Sequence, residues 1–527
     1  MSPQGRENAL DHVVVVMFEN RSFDNLLGRL YEPGEVPSFE GVIGKDLSNP
    51  IPDWAGVSGV VVPYGVAGNM NTPHPDPGEE LPHINTQLFG VLDQENRGRL
   101  GAESSFNTPA PGRQPTMDGF VADYASMLLA ELGRQPTSDE LAQIMTGYAP
   151  EQMPVLSAIA RGFATFDHWF CDAPTCTFPN RSFFHAATSS GFVINFPPAD
   201  AFPGQNTAET LFDRLDASGL TWRVYCDPPG HASLTGIIHA SRLRPKFATN
   251  FFSTSQFFED ADNGELPTYS FIEPQILGHD HNDMHPPAGT LLLAAAKEKG
   301  VTEPGEVYLD PRSSLLAGEE LLARVYNAIR TSSSATGSNH LNTTLLVTFD
   351  EHGGTYDHVP PPPAVPPNGN AAPGQMGFAF DRSGVRIPTL AVSAWIPEQT
   401  VVTDEYRATS LIATMRERWN LGAPLTARDA SARSFGSIFT LATPRAQEDW
   451  PEVHPRPVPK GHESLLPLDA PLGILGKALF AGVLALGKGL GAAVPEIDPE
   501  QPLTGAEATE IAQGVLRELF PLLQKGT

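Results

Sequence analysis

The run Val13-Val14-Val15-Val16-Met17-Phe18, followed by Glu19-Asn20-Arg21-Ser22-Phe23-Asp24, limits this chain more than any other stretch. Consecutive valines with no polar alternation fit a β-strand buried on both faces, as in parallel sheets covered by helices. Such a strand delivers whatever follows it to the carboxyl edge of the sheet, where open α/β folds place their chemistry. A second apolar run, Leu345-Leu346-Val347-Thr348-Phe349, ends in Asp350-Glu351-His352-Gly353-Gly354. Two remote strands thus offer oxygen ligands at corresponding ends, which points to one metal site.

Thr221 to Tyr225, Thr268 to Ile272 and Thr389 to Ser393 read as shorter strands. Between them, Leu321, Leu322, Val325, Ala328 and Ile329 recur at helical spacing, as do Leu411, Ile412, Met415 and Trp419. Strands alternating with helices predict an α/β fold with a mostly parallel central sheet and helices on both faces. The domain is expected to occupy 1–460. Its long Pro-, Gly- and Asn-rich connections at 45–83, 196–206 and 359–377 exceed usual loop lengths and read as functional insertions over one rim.

Residues 461–527 form a distinct extension, expected to be helical. Pro471 to Val494 holds six glycines and only Lys477 and Lys488 as charges, and a helix is expected from Thr504 with Glu507 in capping-box spacing. Glycines and lysines argue against a membrane span, leaving contact with the main domain, a partner or a lipid surface. A net charge of −27 repels phosphate backbones and argues against nucleic acid. Cys171, Cys176 and Cys226 match no zinc spacing and build no disulfide framework. With no basic-apolar leader before the first strand, the expected location is the cytoplasm, or the outside by a route that reads no cleavable leader.

Glu19 and Asn20 at a strand end suit a metal, although a carboxylate there also serves as a helix cap or as a partner for an arginine such as Arg21. Asp350 and Glu351 are more telling, since adjacent carboxylates repel unless a cation lies between them. In Pro174-Thr175-Cys176-Thr177-Phe178-Pro179-Asn180-Arg181, the hydroxyl of Thr177 stands near the start of a helix, either as an N-cap or beside an anion. A polar loop gathers His279, His281 and His285, open to metal ligation or phosphate contact.

With these residues in hand, the chain resembles the bacterial and plant phosphoesterases that include non-specific and phosphatidylcholine-cleaving phospholipases C and a related acid phosphatase. The resemblance rests on Glu19 to Asp24, Met117-Asp118-Gly119-Phe120, Thr177 to Arg181, Asn282-Asp283-Met284-His285-Pro286-Pro287, Asp350 to Gly354 with Asp357-His358-Val359-Pro360, and Leu425-Thr426-Ala427-Arg428-Asp429-Ala430, in the family's order. It implies an alkaline-phosphatase-like fold with a single metal held by Glu19, Asn20, Asp350 and Glu351. Thr177 would be both ligand and nucleophile, and His83 and His285 would contact phosphate. His239, His279 and His281 have no counterpart and stand as second-layer candidates. Two departures are the missing leader and Ala408-Thr409, where many relatives carry a His before a Ser.

The implied chemistry is coherent. A threonine hydroxyl on a divalent cation loses its proton readily, attacks phosphorus and leaves a phosphothreonine, while His285 or His83 protonates the departing alkoxide. An all-oxygen ligand set suits calcium, magnesium or manganese, and carboxylates also suit zinc. Histidines that must be protonated to hold phosphate would favour mildly acidic pH, since an unperturbed His titrates near about 6.5. The expected activity is that of a phospholipase C acting on phosphatidylcholine-like lipids. The alternatives are an acid phosphatase for soluble phosphomonoesters and a non-catalytic metal-stabilised binding protein. Nothing resembles the motif from which sulfatases make formylglycine.

Overall fold

The computed structural model describes residues 5–98, 106–195, 204–226, 233–276, 281–286, 314–370, 372–458 and scattered positions between 480 and 515. Its main sheet has eight strands: β1 His12–Phe18, β2 Ala164–Phe166, β3 Trp222–Cys226, β4 Phe251–Phe252, β5 Tyr269–Glu273, β6 Thr343–Phe349, β7 Thr389–Val392 and β8 Thr400–Val402. Their order across the sheet is β8-β2-β7-β6-β1-β5-β3-β4. Neighbours run parallel, except that β7 is antiparallel to both β6 and β2. The mostly parallel α/β sheet expected from the apolar runs is therefore present.

Six helices bear on the site or its support: α1 Leu81–Phe89, α2 Phe120–Leu132, α3 Pro154–Gly162, α4 Thr177–Ala186, α5 Ser314–Thr331 and α6 Ser410–Trp419. Every residue of β6, and every residue of β1 except His12, is buried, so both faces of the sheet centre are covered. Leu321, Leu322, Val325 and Ile329 of α5 join that core, as do Leu411 and Met415 of α6. Strands β2, β4 and β8 are two or three residues long, too short to leave a period in the sequence.

The register places the chemistry. β1 and β6 run side by side from His12 opposite Thr343 to Phe18 opposite Phe349. The Asp350 N–H then donates to the Phe18 carbonyl at 3.2 Å, so Glu19 and Asp350 leave the sheet together. The 45–83 connection carries short paired strands, Ser48–Pro50 with Val61–Pro63, and leads into α1. Cys171 and Cys176 are buried, and neither is in a disulfide.

One interhelix contact yields a stability prediction. Met153 cannot cap α3, and the carboxylate of Glu319 on α5 does so instead, accepting from the N–H groups of Val155 (2.9 Å) and Leu156 (2.7 Å). Burial raises the Glu319 carboxyl from its ordinary 4.5 to about 7, the two donors pulling the other way. A folded value above the unfolded one means stability is lost as pH rises through that window. Measured by urea unfolding, the advantage of wild type over Glu319→Gln should fall by about 3 kcal/mol between pH 4.5 and 7. An advantage that grows with pH would show that the backbone donors outweigh burial.

Most of 461–527 lies outside the described residues. Of those described, Phe480, Val483, Ala508, Ala512 and Val515 are buried in the same apolar cluster as the sheet. Among the described residues no helix is long and apolar enough to cross a membrane.

Candidate active site

Glu19, Asn20, Asp350 and Glu351 meet at the carboxyl edge of β1 and β6, all fully buried. Asn20 takes a left-handed conformation (φ 55°), and its N–H donates to Asp350 Oδ1 at 3.2 Å. Gly353 (φ 57°) makes this approach possible, because a Cβ there would lie 2.3 Å from the Asn20 carbonyl oxygen. The Gly353 N–H donates to Glu351 Oε2 at 2.7 Å, while Glu351 Oε1 is buried with no hydrogen-bond partner.

Thr177 arrives on the first residue of α4, packed above those oxygens. The N-cap is Cys176, so the N-cap alternative for Thr177 falls away. Its hydroxyl donates to Glu19 Oε2 (3.2 Å) and approaches Asn20 Oδ1 (3.5 Å). Asn180 ties the preceding turn by donating to the carbonyls of Thr175 (2.7 Å) and Ala173 (3.1 Å). One helical turn beyond Thr177, Arg181 forms ion pairs with Glu19 and with Asp350 Oδ2 (3.2 Å). Glu19 is thus paired with Arg181 and not with Arg21. Arg21 donates instead to the carbonyls of Met284 (2.8 Å) and Thr72 (2.7 Å), pinning the two loops that flank the site.

His285 is brought in by one of those loops, with Nε2 2.9 Å from Asn20 Nδ2 and Nδ1 2.6 Å from the Pro286 carbonyl. The other loop supplies Asp76 and Glu79, which sequence reasoning did not single out; the Asn20 amide donates to Glu79. His83 follows Glu79 on α1, its Nδ1 2.8 Å from Asp123 Oδ1 on α2. His352 bonds Gln87 of α1 at 2.8 Å, and burial pulls its pKa down to about 3, so the ring is neutral. His281 lies 3.3 Å from Asp283. His239 stands in another buried group with Asn206 and His185, and His279 lies outside the described residues.

Burial pushes the carboxyls of Glu19, Glu79 and Glu351 upward, and neighbouring carboxylates add to it, with Arg181 opposing at Glu19. Clustered carboxylates, an amide oxygen, a hydroxyl and one orphaned carboxylate oxygen form a donor set that fits a divalent cation. Thr177 itself has no exposed surface, whereas the side chains of His285 and Asp76 are 8% and 24% exposed. The site is open at that edge and closed over the hydroxyl.

The family model described as the Phosphoesterase family matches residues 10–303 and 301–422. The chain belongs to that family. The phosphoesterase is 32% identical to Non-specific phospholipase C1 of Arabidopsis thaliana over 474 residues, covering 86% of this chain and 75% of that one. It is 25% identical to Phospholipase C B of Mycobacterium tuberculosis over 494 residues, covering 86% and 82%. A solved phosphonate monoester hydrolase of Agrobacterium radiobacter aligns at a TM-score of 0.26 and 10% identity, over 51% of this chain and 69% of that one. This phosphoesterase is a phosphoric ester hydrolase, and its relatives support phospholipase C activity.

The remaining motifs of the phosphoesterase act as struts. Arg428 donates to Asp172 Oδ1 (3.0 Å) and to the Phe380 carbonyl (2.6 Å), and Thr409 N–H donates to Asp172 Oδ2 (2.7 Å), which anchors the segment leading to Thr177. Ala408-Thr409 thus retains a supporting contact. Asp357 and His358 belong to a buried network with Asp24 and Arg386.

Proposed function

We propose that this phosphoesterase is a phospholipase C that cleaves the glycerol–phosphate bond of phosphatidylcholine-like lipids, with Thr177 as nucleophile. The observation that carries the reading is the Thr177 hydroxyl, bonded to Glu19 at 3.2 Å inside a buried carboxylate cluster. A divalent cation, calcium or zinc, held by Glu19, Asn20, Asp350 and Glu351 beside Thr177, would supply Lewis acidity to the hydroxyl and to the phosphoryl oxygens.

Glu19 accepts the hydroxyl's hydrogen bond, so it orients Oγ1 and is placed to receive its proton. As the oxygen–phosphorus bond to Thr177 forms, the phosphorus–oxygen bond to glycerol breaks, and the departing alkoxide takes a proton from an imidazole. His285 stands at the open edge for that role; His83, oriented by Asp123, is the other candidate. Water then splits the threonine phosphate ester, freeing the phosphorylated head group and restoring the hydroxyl. Arg181 holds Glu19 and Asp350 in place throughout.

The alternative of an acid phosphatase draws on the closure over Thr177, which suits a small soluble ester better than a lipid. Phosphatidylcholine assayed beside p-nitrophenyl phosphate separates the two, and turnover of the soluble ester alone would overturn the lipid reading. Treatment with a chelator is expected to lower activity at least about 100-fold, with recovery on adding back the native ion. Unchanged activity in the stripped protein would remove the metal from the scheme.

A further inference from the structure

Asp76, Glu79 and His285 each bring a ligand atom to within 4.8 Å of the others, on the open side of Asn20. Two features of this trio point to a cation beyond the one already assigned.

One feature is the imidazole. His285 Nδ1 lies 2.6 Å from the Pro286 carbonyl, which can only accept, so the proton sits on Nδ1. Nε2 then carries a lone pair that accepts an N–H of the Asn20 amide (2.9 Å) and lies 3.8 Å from Asp76 Oδ2, and a cation on Nε2 takes the place of that amide hydrogen. A carbonyl behind the ring that fixes this tautomer is the usual support of a metal-binding histidine.

The other feature is charge. Glu79 is 4% exposed, and the groups that meet its oxygens are neutral amides, Asn20 and Asn195 (3.2 Å). The neighbouring charges that weigh most on it are Glu351, Asp76, Glu80 and Glu19, all carboxylates. Asp76 Oδ1 is shielded from solvent and has no hydrogen-bond partner. Arg181 serves the far side of the cluster, at Glu19 and Asp350. The buried guanidinium of Arg21 and the His285 imidazole both bear on Asp76, so a cation among Glu19, Asn20, Asp350 and Glu351 leaves Glu79 as the buried carboxylate that is met by neutral amides and surrounded by carboxylates.

We propose that Asp76, Glu79 and His285 form a second divalent-cation site, set apart from the first by the Asn20 side chain. Its mixed nitrogen and oxygen donors select zinc or manganese over calcium, in contrast to the all-oxygen first site. Asp76, the exposed member, is the point of access. A cation on Nε2 removes His285 from proton transfer and leaves that task to His83.

The proposal concerns ion stoichiometry and does not rest on Thr177 being the nucleophile. The full-length protein, stripped with a chelator and saturated with zinc alone, is weighed by native mass spectrometry. Two zinc ions per chain are expected for wild type, and one for Asp76→Ala and for His285→Ala, with circular dichroism identifying whichever variant is folded. Calcium alone is expected to load one ion. A single zinc in the wild type, or two zinc ions in a folded variant, would overturn the second site.

Discussion

Thr177→Ala is expected to lower hydrolysis of phosphatidylcholine by about 10³-fold or more, because it removes the atom that forms the bond to phosphorus. Thr177→Ser keeps that atom and should retain most of the rate. The alanine variant loses one methyl group and a hydroxyl whose bonds go to Glu19 and Asn20, so its circular dichroism should match wild type. Mass spectrometry of wild type quenched during turnover of phosphatidylcholine should find the phosphorylated head group, phosphocholine, esterified to Thr177. Wild-type rates in Thr177→Ala would end the nucleophile assignment, whatever the substrate.

Arg386→Met should cost about 3–5 kcal/mol in folding free energy, the largest stability effect anticipated for one substitution. The guanidinium is fully buried and pairs with Asp24 Oδ1 (2.8 Å) and Asp357 Oδ1 (2.9 Å). It also donates to the carbonyls of Glu40 (2.9 Å) and Asp167 (2.7 Å) and lies 4.5 Å from the centre of the Phe23 ring. Burial already raises the Asp357 carboxyl to about 6 against the pull of Arg386. Without the guanidinium, Asp24 keeps His358, but Asp357 is left buried with backbone N–H donors from Asp24 and Val359. Urea unfolding measures the loss, and a value below about 1 kcal/mol would mean that water or a rearranged partner takes the arginine's place.

Glu19, Asn20, Asp350 and Glu351 were legible because two uninterrupted apolar runs could only be central strands, and each ended in polar residues. That the two strands are neighbours is a matter of topology, and the shared motifs pointed to it where periodicity could not. Arg181 was harder to read: its role follows from standing four residues after Thr177 on one helix face, a spacing visible only once Thr177 is known to begin the helix. Arg21 looked like the nearer partner for Glu19, but the left-handed turn at Asn20 sends it toward Met284 and Thr72. Asp76 and Glu79 lie in a proline-rich connection with no period, so their placement depends on the whole path of 45–83.

The pairing of β1 with β6 joins segments whose partners are about 330 positions apart, Val13 opposite Thr344 among them. During synthesis at roughly 5–20 residues per second, the Val13–Phe18 segment waits on the order of tens of seconds for that neighbour to leave the ribosome. Throughout that interval a sticky hydrophobic ribbon has an unfilled edge, a hazard that chaperones must shield. Fragments ending before residue 343 cannot assemble the reaction centre, so hydrolysis should switch on only when nearly two thirds of the polypeptide has been made.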